Sequence, residues 1–272
     1  MSVELSSTGP GSALERLQRR YRLYMARLYR PPLGPPLSLL YRGDRVTCPC
    51  CGRTARKFMP TVLPVGPNRP NARCPHCGAR DRQRYMRLYL ERKTNLLVDP
   101  LRVLHFAPER IFEEWLGSRP NLDYVSTDLE RERATVKADI TALPFSDDSF
   151  DVILCSHVLE HVADDRKAMR ELYRVLRPGG WALVLVPIEL SRAETFEDPA
   201  IVAPGDRERL FGQADHVRIY GRDFTTRLEE AGFTVRVEDY TRELGESEAR
   251  RYGLRPRGPD LHLCLKDEDR RG

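Results

Sequence analysis

The chain has 272 residues, of which 40% are hydrophobic and 31% charged, with a formal net charge of +5. That length holds one full α/β domain and a small module, the apolar share suits a chain that buries a core, and no apolar run approaches the roughly 20 residues that span a bilayer. The opening MSVELSSTGPGSALERLQRRYRLY is polar and contains Gly and Pro where a signal peptide needs an apolar stretch, which predicts a cytoplasmic protein without a membrane partner.

Charge is uneven along the chain. Residues 1–100 hold 19 lysines and arginines against 6 acidic residues, and the other 172 hold 26 against 34. A basic part before an acidic part suits contact with RNA or another polyanion; solvated arginine-rich helices, or docking of one part on the other, give the same split. Residues 1–12 are rich in Ser, Gly and Pro. From Ser12 to Tyr29 the apolar residues Leu14, Leu17, Tyr21, Tyr24, Met25 and Leu28 recur at helical spacing, predicting a helix that Ser12 caps. PPLGPP (Pro31–Pro36) ends it as a stiff linker. These patterns divide the chain into an extension over 1–45, a cysteine module with its connecting helix over 46–95, and an α/β domain over 96–272.

Five of the seven cysteines fall between Cys48 and Cys77, in the strings CPCCG and CPHCG. Cys48 and Cys51 form one C-x2-C pair, Cys74 and Cys77 the other, with 22 residues between Cys51 and Cys74. Each turn lets two thiolates grip one ion, and the following Gly52 or Gly78 frees the backbone to wrap around the sulfurs. Two such turns supply the four ligands of a structural Zn²⁺. Cys50 is a spare thiol or replaces Cys48 or Cys51 in another register, and His76 reads as a spectator. Four thiolates close the coordination sphere, so the ion holds together a segment too small for its own core. If this zinc ribbon binds RNA, Arg53, Arg56, Lys57, Arg69, Arg73, Arg80, Arg82 and Arg84 supply the charge. Phe58 is the only aromatic residue inside it, which weakens a base-stacking role.

Asp81–Lys93 reads as a helix with interleaved arginines. An α/β alternation then begins, with strands predicted at Leu101–Phe106, Leu122–Thr127, Val136–Asp139, Val152–Ser156, Trp181–Pro187, Thr234–Tyr240 and Leu261–Lys266. Helices are predicted at Glu109–Leu116, Asp164–Val175 and Gly221–Ala231. Strands alternating with helices imply a mostly parallel sheet covered on both faces. Cys155 and Cys264 lie in apolar runs and read as buried thiols; Trp115 and Trp181 read as core or interface residues.

The first strand runs into VLHFAPER, where a nucleotide-binding α/β domain carries a glycine-rich turn, yet no glycine is present. Asp128 closes YVSTDLE, a strand ending on a carboxylate about twenty positions on, where dinucleotide-type folds bind ribose hydroxyls. Then follow VKADITALPFSDDSFDVILCSHVLEHV and LYRVLRPGGWALVLVP. Over about Leu101 to Lys266 these residues resemble class I S-adenosylmethionine-dependent methyltransferases. The subgroup resembled shares D-I-x-x-L-P-F, F-D-V-I, H-V-L-E-H-V and E-L-x-R-V-L-x-P-G-G. The whole chain resembles a zinc-ribbon-containing branch that pairs two CPxCG turns with an H-F-A-P-E first motif and a later F-G-Q-x-D-H-V-R-x-Y-G stretch, here Phe211–Gly221.

The resemblance implies a Rossmann-like seven-stranded sheet, mostly parallel with its last strand antiparallel, and S-adenosylmethionine across the carboxyl ends of the first strands. Position by position it sets Phe106, Ala107 and Pro108 against the methionine end. Asp128 meets the ribose, Leu129 and Ile140 flank adenine, and Asp139 accepts from the adenine amino group. Ser156 and His157 come near the transferred methyl. His105 and Glu109 depart from the usual pattern, and either touches the cofactor's amino or carboxylate group or orients the loop. Ala107 is small and Pro108 fixes its own φ, so the pair suits a loop whose cofactor has no pyrophosphate to cradle.

Methyl transfer from a sulfonium is an in-line displacement needing alignment and, for a hydroxyl acceptor, a base. Candidate catalytic residues are His157, His216 and Asp215, with Arg218 and Tyr220 nearby to bind the acceptor; a polar cap on a helix start is the other reading of that segment. His161 reads either as a base or as a histidine bonded to backbone. Glu160 and His161 form part of a metal-binding pattern whose first acidic partner is missing, so no second metal is expected. The sequence thus points to methylation of O or N on a small metabolite, sugar or natural product. An RNA methyltransferase gripping RNA with the basic module, and a non-catalytic zinc-ribbon adaptor, are the alternatives.

Overall fold

A computed structural model describes residues 39–61, 69–130, 134–255 and 261–268. The helix expected over Ser12–Tyr29 and the linker Pro31–Pro36 lie outside the described residues. The rest forms two compact units: one holds the described residues up to Arg87 together with Glu246–Arg255, the other Leu88–Gly245 with the described residues from Leu261 on. Among the described residues no helix is long and apolar enough to cross a membrane.

The first unit is built on short antiparallel ladders. Strand β1 (Val46–Thr47) pairs with β2 (Thr54–Ala55), and β3 (Met59–Thr61) with β4 (Arg69–Arg73). Its core centres on Arg84, near the start of α1 (Asp81–Lys93). This side chain is fully buried, with its guanidinium 3.8 Å from the centroid of Phe58. It donates to the carbonyls of Ala72, Ala79, Tyr252 and Gly253 at 2.8–3.1 Å. Burial lowers its pKa, opposed by the negative charge of the thiol cluster and Asp81. Residues 246–255 therefore join this unit instead of the α/β domain, a division the expected boundary at residue 96 does not contain. Gly253 (φ +60°) must be glycine, because a Cβ there would stand 2.2 Å from the Phe58 ring. Arg84 is accordingly removed from the set of cations open to RNA.

The second unit is a seven-stranded sheet in the order β12-β13-β9-β8-β5-β6-β7. These are β5 (Leu101–Phe106), β6 (Leu122–Asp128), β7 (Val136–Lys137), β8 (Phe150–Ser156), β9 (Leu176–Leu185), β12 (Thr234–Glu238) and β13 (Leu261–Leu265). Strands β5 to β9 are parallel neighbours, and β13 runs antiparallel to both β9 and β12. The near-continuous apolar runs of β5, β8 and β9 are those of central strands covered on both faces. Helix α2 (Arg110–Gly117) follows β5, and α3 (Asp165–Val175) and α5 (Phe224–Glu230) bury Met169, Leu172, Phe224 and Leu228 against Leu104, Ile153, Cys155 and Val184. Cys155 and Cys264 are both fully buried, which pushes their thiols up in pKa.

The elements differ from the sequence expectations in identifiable places. Strand β9 begins at Leu176, because Leu-Arg-Pro-Gly-Gly stays in the ladder as a bulge: the register jumps from Phe150↔Leu176 to Val152↔Trp181. Helix α4 (Pro204–Phe211), helix α6 (Tyr240–Arg251, broken at Gly245 with φ +77°) and the small ladder of β10 (Phe196–Glu197) with β11 (Arg218–Ile219) were not expected. The helix expected from Gly221 starts only at Phe224. Gly221 instead lies against backbone, where a Cβ would stand 2.5 Å from the Glu194 carbonyl carbon.

Candidate functional site

Two constellations of chemically capable residues emerge, one in each unit. In the first, Cys48, Cys51, Cys74 and Cys77 bring their sulfurs within 4.8 Å of one another. Cys48 and Cys77 are 3.7 Å apart, Cys51 and Cys74 3.8 Å. Sulfurs about 2.3 Å from a common ion at tetrahedral angles are about 3.8 Å apart, so the set has the size of a four-thiolate Zn²⁺ site. The two turns repeat one geometry. Gly52 N donates to Cys48 O at 2.8 Å and Gly78 N to Cys74 O at 2.9 Å. Both glycines take positive φ, +70° and +79°. Hydrogen bonds with Cys50 and Cys51, aided by burial, push the Cys48 thiol up to about 12, while donation from Cys48, Cys74 and Cys77 holds Cys51 down. Cys50 stands outside this group of four, and His76 turns away to place Nε2 3.0 Å from Thr54 O.

In the second unit the candidate residues stand at the carboxyl ends of parallel strands, where open α/β sheets bind ligands. Ala107 follows β5 with φ +43° and donates its N–H to Thr127 O at 2.8 Å. His157 follows β8 with φ +57° and donates to Leu185 O at 2.8 Å. Each strand thus ends on a non-glycine residue in the left-handed region, turning the chain sharply where a glycine is the usual solution. Such strain concentrates at functional sites. In the glycine-less loop, Ala107 takes the glycine's conformation. Pro108 is buried and precedes the helix, whose N-cap is Glu109.

The structure separates the other residues expected there. Phe106 and Ile140 lie in the core cluster. His105 points to the opposite face of β5 from Phe106 and is wholly buried; its Nδ1 is 3.0 Å from the Tyr124 hydroxyl and its ring lies edge-on to Phe112. Burial lowers its pKa to about 4, so the ring is neutral. His105 thus packs against Tyr124 and Phe112, which suits orienting the loop, one of the two roles given to it. Asp128 ends β6, and its Oδ1 accepts from Glu130 N at 2.9 Å. Asp139 Oδ1 accepts from Thr141 N at 2.8 Å, an equivalent turn that orients its carboxylate. Between them in sequence Leu129 is 59% exposed. Two oriented carboxylates and a bare leucine suit the ribose, amino group and ring of an adenosine.

Past β8 the side chain of His157 is partly exposed, and Nδ1 is 2.9 Å from Oε1 of the buried Glu160. Glu160 carries the signal that sequence reasoning undervalued: an acidic residue three positions after a histidine at a strand end. The 3-10 turn Leu159–His161 sets it beneath the imidazole. The candidate catalytic residues Asp215 and His216 face different partners. Asp215 Oδ2 lies 3.3 Å from His161 Nδ1, whereas His216 is buried, with Nδ1 3.2 Å from Phe211 O. Burial lowers the His216 pKa, opposed by nearby Glu160.

Arg218 and Tyr220 are likewise withdrawn from an acceptor. Arg218 donates to the carbonyls of Leu159, Val162 and Ala163 and, at 2.7 Å, to Glu197. The Tyr220 hydroxyl meets Asp165 at 2.8 Å, and Arg227 bridges Asp165, Glu197 and Asp223 at 2.9–3.1 Å. Burial raises the Glu197 carboxyl, but the two guanidiniums outweigh it and hold it low. This charged network fastens the segment from His216 to Asp223 onto the turn after β8.

Residues 117–184, which hold β6, β7, β8 and most of β9, match the family described as "Methyltransferase domain". The chain is 54% identical over 50 residues to the ubiquinone/menaquinone biosynthesis C-methyltransferase UbiE of Klebsiella pneumoniae subsp. pneumoniae, a match covering 18% of this chain and 20% of that protein. The chain thus spans about a fifth of the length of that curated relative. Among solved structures it is similar to the [4+2]-cyclase SpnF, with 19% identity, a TM-score of 0.45 and coverage of 68% of this chain and 81% of that one. It is also similar to the 1,6-didemethyltoxoflavin-N1-methyltransferase of Burkholderia thailandensis, with 14% identity, a TM-score of 0.41 and coverage of 61% and 70%.

Proposed function

We propose that this chain transfers the methyl group of S-adenosylmethionine to an oxygen or nitrogen of a small-molecule acceptor, with His157 removing the acceptor's proton. The observation that carries the reading is the His157–Glu160 pair at the carboxyl end of β8, 2.9 Å apart. A buried carboxylate on Nδ1 fixes the tautomer in which Nε2 is the free base, and it stabilises the imidazolium that forms when the proton arrives. The methyltransferase-domain match over residues 117–184 supports the reaction class. The turn at Ala107, the oriented Asp128 and Asp139, and exposed Leu129 support the cofactor.

When bound, S-adenosylmethionine supplies a methyl group already activated on its sulfonium. Asp128 and Asp139 orient the adenosine through hydrogen bonds to the ribose and the amino group, and Leu129 covers the ring. The turns at Ala107 and His157 set the backbone close to the reacting end. The four cysteines hold a structural Zn²⁺ whose closed shell leaves no position for substrate, so its contribution is folding.

The test is a methyl-transfer assay with His157→Ala and His157→Gln against a panel of hydroxyl, amine and quinol acceptors, read by product mass. Loss of a general base lowers kcat by about 10²–10⁴-fold. The account expects that loss with S-adenosylhomocysteine affinity within a few-fold of the parent. Unchanged turnover in both variants would remove His157 from the mechanism. Methyl found on a carbon, as the printed name of the Klebsiella relative describes for that protein, would overturn the choice of acceptor atom.

A further inference from the structure

Glu160, His161 and His216 bring one carboxylate oxygen and two ring nitrogens within 4.8 Å of one another. One polar atom of each is engaged elsewhere. Glu160 Oε1 faces His157 Nδ1 at 2.9 Å, His161 Nδ1 lies 3.3 Å from Asp215 O, and His216 Nδ1 lies 3.2 Å from Phe211 O. A carbonyl oxygen only accepts, so both Nδ1 atoms are donors, which leaves Nε2 of each ring as the nitrogen available to a ligand. Two atoms remain, Glu160 Oε2 and His216 Nε2. Both are buried, and neither has a hydrogen-bond partner. The two residues are 1% and 5% exposed. Two buried acceptors without a donor are costly unless a positive charge lies near them. A metal ion or a shared proton supplies it, and the third donor at His161 favours the ion.

We propose that Glu160, His161 and His216 bind one Zn²⁺-class divalent ion, separate from the four-cysteine centre and sharing Glu160 with the methyl-transfer reading. Two histidines and a carboxylate are a donor set of zinc and non-haem iron sites with open positions. The hydrogen bonds on the far side of each ligand fix its tautomer and direction as such sites require. The ligands are held by structure. Val217 N donates to Glu160 O at 3.0 Å, and the buried Arg218 ties the segment of His216 to the turn of Glu160 and His161. His161, whose side chain is 34% exposed, is the side from which an ion enters. Donors about 2.1 Å from one ion stand about 3.0–3.4 Å apart, so the three atoms draw closer together when the ion binds. Three protein ligands leave at least one position open to an oxygen donor. The second metal discounted from sequence thus acquires its third ligand from a segment 55 residues further on.

The test is equilibrium dialysis of the full chain against buffered Zn²⁺, followed by metal analysis of the parent, Glu160→Gln and His161→Ala. His161 is on the surface, so its variant folds even if Glu160→Gln does not. The expected result is two zinc ions per chain in the parent and one in each variant. One ion in the parent, or two retained in His161→Ala, overturns the proposal. Zinc X-ray absorption of the parent gives an independent reading: sulfur plus nitrogen and oxygen neighbours support the site, and sulfur alone contradicts it.

Discussion

His105 offers a direct check on how the strand carrying the candidate cofactor loop is oriented. Its ring is fully buried, and burial lowers its pKa to about 4, against the ordinary 6.5. The folded state therefore holds the neutral ring while the unfolded chain takes up a proton below pH 6.5. A depressed folded pKa contributes stability that is present above pH 6.5 and lost as pH falls towards 4. The full loss is about 3 kcal/mol for this shift, and at pH 5 about 2 kcal/mol. For a domain of this size that is a drop of about 4–8 °C in Tm between pH 8 and pH 5 from this residue alone. His105→Phe keeps an aromatic ring against Phe112 and removes the titration. Thermal unfolding of the zinc-replete parent and variant at pH 8 and pH 5 measures it. The parent is expected to lose about 2 kcal/mol more than the variant. Equal losses in the two proteins would mean that His105 is solvated in the cleft and that the orientation given to β5 is wrong.

Two further predictions concern the loop and the cysteine centre. Ala107→Gly relieves a left-handed residue worth about 1–2 kcal/mol at an entropic cost of about 0.5–1 kcal/mol, so it leaves stability equal or slightly higher, whereas Ala107→Val destabilises by more than 1 kcal/mol; urea unfolding of both variants checks this, and a stable Ala107→Val would show that the turn is not strained. Cys74→Ser abolishes the thiolate charge-transfer absorption of the cobalt-substituted protein and exposes the first unit to proteolysis; full retention of that band would overturn the four-sulfur assignment.

The sheet was readable because its central strands are continuous apolar runs and the helices between them have clear amphipathic periods. The C-x2-C turns were readable for the same reason: chemistry and spacing are both local. What escaped is non-local or conformational. Positive φ at Ala107 and His157 carries no residue signature when the residue is not glycine. The inward turn of His105 was available from strand alternation, since adjacent residues of β5 face opposite sides, but the loop motif drew both His105 and Phe106 toward the cofactor. Arg218 and Tyr220 looked like substrate groups because their partners, Asp165 and Glu197, lie 21–55 residues away in the chain. Arg84 was counted among solvent-facing cations because nothing in its own helix shows that carbonyls from residues 252 and 253 would receive it.

The central claim is the cofactor, and calorimetric titration of the zinc-replete protein with S-adenosylmethionine and S-adenosylhomocysteine, beside Asp128→Ala, tests it most directly. The account predicts micromolar binding of both to the parent. In Asp128→Ala, loss of two charge-assisted hydrogen bonds, about 1.5 kcal/mol each, weakens binding by roughly 100-fold while the fold stays intact. Absence of binding to the parent, or unchanged affinity in Asp128→Ala, would contradict it.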